Sequence, residues 1–193
     1  LALAVVALAS TPAPAAAAAE GQGVIGFTKT TTTVYSDALT IFNETDGEDS
    51  VFSGYLANNI GWVYVQQKKF SDAREWLEMA LRILEPVEGS YSYNVTILRI
   101  NMGIVAVEEG NPEEAIRWAL MAMPYISENR KSTLAIQRWN FEVLSRAFTL
   151  RNQPERAIFF GKMAVNAQQE IRATNTGEKA DDTAELQAER WPI

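Results

Sequence analysis

Small residues recur in this chain at a fixed interval of 42 positions. Ala73, Ala115 and Ala157 form one series, Ala80, Ala122 and Ala164 a second, and Gly61, Gly103 and Ser145 a third. Self-similarity at such a period marks stacked repeat units, each too small to bury its own apolar face alone. The period resides in small side chains because two antiparallel helices approach closely only where nothing bulky intervenes.

The breaks between the apolar stretches fit a two-helix unit. Ser71 or Asp72 offers a helix cap ahead of Ala73. Gly110-Asn111-Pro112 supplies a terminating glycine, an Asn cap and a proline in the first helical position, and Asn152-Gln153-Pro154 repeats that chemistry one period later. The pattern predicts first helices over 52–67, 92–109 and 132–151, and second helices over 71–85, 112–127 and 154–172. Pro124 is expected to kink or shorten the second helix of the middle repeat. Tyr35, Ala38 and Leu39 stand one period before Leu77, Ala80 and Leu81, which predicts a lone helix over 33–43 capping the stack.

Gly61 and Tyr64, followed by Ala73, Leu77, Ala80 and Pro86, resemble the tetratricopeptide repeat. The 42-residue period is similar to the longer variant of kinesin light chains and many bacterial proteins. The resemblance covers 52–172, with Ser145 in place of an expected glycine and Ala106 in place of an expected aromatic residue. It implies an all-α solenoid of about three helix pairs whose first helices line a concave, peptide-binding face. Residues 157–172 (AIFFGKMAVNAQQEIR) also resemble a stretch of bacterial repeat proteins that continue into a caspase-like CHAT protease domain.

Equivalent positions of the first helices then define candidate groove rows: Tyr55, Ile97 and Trp139; Asn58, Ile100 and Glu142; Trp62, Ile104 and Arg146. Asn101 adds a polar group. These rows suit a segment with large apolar anchors. The alternative is that they are core, since the middle first helix is apolar nearly all round. Of the residues with which chaperone-binding members clamp a terminal carboxylate, the resemblance supplies only Asn101.

Composition limits the chemistry. The chain of 193 residues contains neither cysteine nor histidine, which removes disulfides, thiolate chemistry, Cys/His zinc sites and His-dependent triads. A formal charge of −7 with no basic run argues against nucleic acid as a partner. Gly21, Gly23 and Gly26 spell a dinucleotide-binding spacing, but an alanine-rich leader precedes it where a strand is required. Glu108, Glu109, Glu113 and Glu114 flank a turn, where the expected role is a solvated corner and a helix N-terminus and not acid catalysis. Asn43 and Asn94 match a glycosylation pattern that is treated as incidental.

Leu1 to Ala9 is an apolar run too short to span a bilayer, and Ala17-Ala18-Ala19 follows as an A-x-A-like site. The expected organisation is a signal peptide over 1–19, shortened at its start, a linker over 20–50, the repeat array over 51–172 and a polar tail over 173–193. The expected protein is exported to a periplasmic or extracellular space, of a bacterium as judged by the leader, without membrane insertion of the mature chain. It is non-catalytic, needs no cofactor or metal, and binds a protein or peptide. The rival expectations are the sensor region of a larger exported enzyme such as a CHAT-type protease, and a self-associating spacer.

Overall fold

The computed structural model describes residues 34–37, 39–41, 44 and 50–176. The leader, the Gly21–Gly26 spacing, Asn43 and the tail from 177 lie outside the described residues. Six α-helices follow one another in antiparallel pairs: α1 (Val51–Gln66) with α2 (Phe70–Glu88), α3 (Tyr93–Glu108) with α4 (Pro112–Glu128), and α5 (Leu134–Leu150) with α6 (Pro154–Thr176). The second helices begin 42 residues apart each time, and the first helices 42 and then 41 apart. Helical residues between 34 and 41 precede the pairs, and Leu39 is buried there against Leu56 and Ile60 of α1.

The turn inside each pair is built the same way. The backbone N–H groups of Lys69, Asn111 and Gln153 donate to the carbonyls of Tyr64, Ala106 and Phe148, and those of Lys68, Gly110 and Asn152 to Val65, Val107 and Thr149. This crossed pair of bonds is a Schellman closure, which needs one residue with positive φ. Lys68, Gly110 and Asn152 take that conformation at φ 58°, 75° and 54°. Asn111 caps α4 as expected by accepting from the Glu114 N–H, with Pro112 opening the helix. The expected Ser71 or Asp72 cap is not formed: α2 starts earlier, at Phe70, and its N-cap Lys69 has no side-chain bond.

Ser50 and Ser92 cap α1 and α3 by accepting from Ser53 and Val95. Before α5 the register slips by one residue through a 3-10 turn, Arg130–Ser132. Pro124 does not stop α4, which runs one further turn to Glu128. A proline that close to the end forfeits one backbone bond and leaves only a single turn beyond it.

The third small-residue series explains the close approach within each pair. A Cβ on Gly61 would stand 2.8 Å from the Leu77 side chain and 3.3 Å from the Ala73 carbonyl. Gly103 faces the Ala115 carbonyl in the same way. In the last pair the Ser145 hydroxyl donates to the Ala157 carbonyl at 2.8 Å. The position opposite is Leu77 in the first pair and Gly161 in the last, so serine is accommodated opposite a glycine.

The helices α2 and α4 are amphipathic, with Ala73, Leu77, Ala80, Leu81 and Leu84 buried on one side of α2. The α3 helix is buried on several sides, through Val95, Leu98, Ile100, Met102, Val105 and Val107, because it is covered by both neighbouring pairs. No described helix is long and apolar enough to cross a membrane.

Candidate functional site

The first helices meet around a hollow of about 380 Å³. Trp62 and Val65 of α1, Ile104 and Glu108 of α3, and Arg138, Trp139, Glu142 and Arg146 of α5 line it, with Lys68 from the first turn and Phe70 from the start of α2. Five of the ten sequence-predicted groove residues therefore come together here: Trp62, Ile104, Trp139, Glu142 and Arg146. Tyr55, Asn58 and Ile97 are half-buried outside this lining.

Two predicted residues are placed differently. Ile100 is fully buried in the core, because α3 is covered on the side from which that residue projects. Asn101 is buried as well, and its amide donates to Asn58 Oδ1 at 3.0 Å, tying α3 to α1. That bond gives Asn101 an internal role between repeats.

The polar rim is organised as ion pairs. Arg146 donates to Glu108 at 2.6 Å, joining α5 to α3, and Arg138 donates to Glu142 at 3.3 Å along α5. The Arg138 guanidinium also lies 5.4 Å from the centroid of the Trp139 ring. Exposed pairs of this kind contribute about 0–1 kcal/mol each, so their members can exchange partners at little cost. The rows of equivalent positions overlooked Lys68, Phe70, Glu108 and Arg138, because these have no periodic counterpart. A signal for Arg138 did exist: it lies four residues before Glu142, with Arg146 four after, on one face of a helix.

Tyr55 donates to the Glu88 carboxylate, which also accepts from Asn94 Nδ2 at 3.0 and 3.1 Å. Burial first, and that bond second, push the Tyr55 phenol up to about 12, so it stays a donor at neutral pH.

The four glutamates at the α3–α4 turn carry ion pairs, with Glu108 and Glu109 exposed at the corner as expected. Arg74 of α2 donates to Glu109 and, at 2.7 and 3.1 Å, to both oxygens of Glu114, while Glu113 faces Arg151 at 3.5 Å. The Trp118 indole also donates to Glu114, at 3.1 Å. The Arg74 bond holds the Glu114 carboxyl below the usual range, against the opposing effect of burial. The folded pKa is therefore depressed, so this stabilisation is fully present above the ordinary value of 4.5 and is lost as pH falls through the folded value. Glu114→Gln is expected to lower stability at neutral pH by about 1–2 kcal/mol. It should also flatten the acid limb below about pH 4.5 in thermal melts recorded across pH.

Among the described residues no cluster of three or more carboxylates is placed to hold a metal ion. The geometry defines a helical-repeat solenoid with an amphipathic hollow on its first-helix face. Residues 31–85 match the profile of the tetratricopeptide repeat family. The crystal structure of BtubC (BKLC) from P. vanneervenii is similar, with a TM-score of 0.66 at 19% identity, and the match covers 81% of this chain and 61% of BtubC. The chain thus spans about three fifths of BtubC's length. A comparison with curated proteins gave no match. The profile match covers residues 31–85, and the same antiparallel helix pairs repeat from there to Thr176.

Proposed function

We propose that this chain is a non-catalytic binding scaffold that seats a polypeptide segment in the hollow between its first helices. The observation that carries this reading is the convergence of Trp62, Ile104 and Trp139, one from each repeat, on one cavity with charged groups at its rim. Large, partly buried indoles supply apolar area at low entropic cost, and rim charges set register and orientation. A hollow of about 380 Å³ accepts one or two anchor side chains and leaves the remaining segment across the ion pairs. The leader sequence supports placing this scaffold outside the cytoplasm.

Peptides selected from a random display library against the full chain test the reading. The double substitution Trp62→Ala, Trp139→Ala should weaken the selected peptides by about 100-fold, as expected when two central aromatic anchors are removed. Helix content by circular dichroism should persist, since both indoles are only half-buried. Unaltered affinity in that variant would reject the hollow as the binding site. The CHAT-type rival rests on the sequence of 157–172, and its mark is a His and Cys pair further along the complete gene.

A further inference from the structure

We propose that Lys68 makes the hollow selective for a segment that carries an acidic side chain, Asp or Glu, next to its apolar anchor. This inference rests on the scaffold reading and deepens it by fixing the partner's charge. Three cationic residues, Lys68, Arg138 and Arg146, line the hollow with two carboxylates, Glu108 and Glu142. Each carboxylate already accepts from an arginine, Glu108 from Arg146 at 2.6 Å and Glu142 from Arg138 at 3.3 Å. Among the described residues Lys68 has no ion-pair partner. The lining therefore presents one uncompensated positive charge, in a chain whose formal charge is −7.

The backbone at Lys68 is a second, separate sign. Lys68 takes a left-handed conformation at φ 58°, which the equivalent turns give to Gly110 and Asn152. Glycine and asparagine tolerate that region better than a residue with a long side chain. The first turn thus carries a lysine where its own geometry favours glycine, and this residue lines the hollow together with Trp62 and Phe70.

A carboxylate that meets Lys68 forms an ion pair without breaking one. At Arg138 or Arg146 it first has to displace Glu142 or Glu108. A basic side chain in the same place meets Lys68 as a like charge and finds both glutamates occupied. Because the chain as a whole is acidic, attraction of an acidic segment is confined to contact range, where it serves selectivity more than speed of encounter. A single uncompensated charge suits one side-chain carboxylate within a segment whose anchor lies between the indoles of Trp62 and Trp139.

Peptides selected from a random display library against the full chain are expected to carry Asp or Glu within about three residues of a large apolar residue. Replacing that acidic residue by its amide should weaken binding about 5- to 10-fold, the range of a partly desolvated ion pair. Lys68→Gly should cause the same loss with the acidic peptide and none with the amide peptide, so that the two losses overlap in a double-mutant cycle. Gly110 occupies the equivalent position of the second turn, so the fold accepts this substitution and the circular dichroism should be unaltered. Loss on amidation of the peptide's C-terminus, with none from the side-chain amide, would assign the charge to a chain end and overturn the proposal. Selected peptides without an acidic residue near the anchor, or an acidic peptide indifferent to Lys68→Gly, overturn it as well. If such peptides still lose affinity in the Trp62→Ala, Trp139→Ala variant, the scaffold reading stands without the charge; if they do not, both fall.

Discussion

Leu77→Ala is expected to destabilise the fold by about 3–5 kcal/mol, measured as a lowered urea midpoint at unchanged slope. Leu77 is fully buried and fills the space above Gly61, where the pair α1–α2 is closest. Removing it deletes transfer energy and leaves a cavity that neighbouring helices fill only in part. The reverse change, Gly61→Ala, is expected to cost about 2 kcal/mol, since the new Cβ would stand 2.8 Å from the Leu77 side chain. The two changes together should cost less than their sum, by about 1–2 kcal/mol, because each accommodates the other. The last repeat supports this, pairing Ser145 with Gly161 where the first pairs Gly61 with Leu77. Strict additivity in the double-mutant cycle would show that the size exchange along the series has no packing basis.

Arg99→Ala is the second large effect, with an expected loss of about 3 kcal/mol. Arg99 is 4% exposed and is the hub of three segments. It donates to the Ser90 carbonyl at 2.6 Å, to the Met121 carbonyl at 2.9 Å and to Glu85 at 2.7 Å. It thereby joins α2, the loop that follows α2, and α4. Truncation leaves two carbonyls short of a donor and opens a cavity among packed helices. Arg99→Lys should recover less than half of the loss, because one ammonium does not reproduce a planar fork aimed at three acceptors. Full rescue by lysine in chemical denaturation would show that charge alone matters at this site.

The helix pairs were legible because the chain repeats itself. Three turns marked where each pair reverses, and Gly61, Gly103 and Ser145 marked the close contacts within each pair by their small size at a fixed period. The match to the family profile ends at residue 85, before the positions where Ser145 and Ala106 depart from the pattern. The period does mark Arg99 as a buried position, since its equivalents Ala57 and Phe141 are apolar core residues, but it names no partner for the charge. Half of the hollow was legible for the same reason as the helices: Trp62, Ile104 and Arg146 share one register, as do Tyr55, Ile97 and Trp139. The rest, Val65, Lys68, Phe70, Glu108 and Arg138, comes from the first turn and its flanks and from ion pairs on and between α3 and α5, and these contacts carry no period. Ile100 and Asn101 show the opposite error, because equivalence to a groove position does not guarantee exposure when a helix is covered on several sides.

The scaffold reading is tested most directly by the indole N–H resonances of the five tryptophans, followed while a library-selected peptide is titrated into the full chain. Trp62 and Trp139 line the hollow, whereas Trp118 donates its indole N–H to Glu114 and Trp76 packs beside Leu56 and Ile60. Saturable shifts of Trp62 and Trp139, with Trp76 and Trp118 nearly unmoved, are the predicted result. A peptide that binds while the Trp62 and Trp139 signals stay in place would contradict the account and move the binding surface elsewhere on the solenoid.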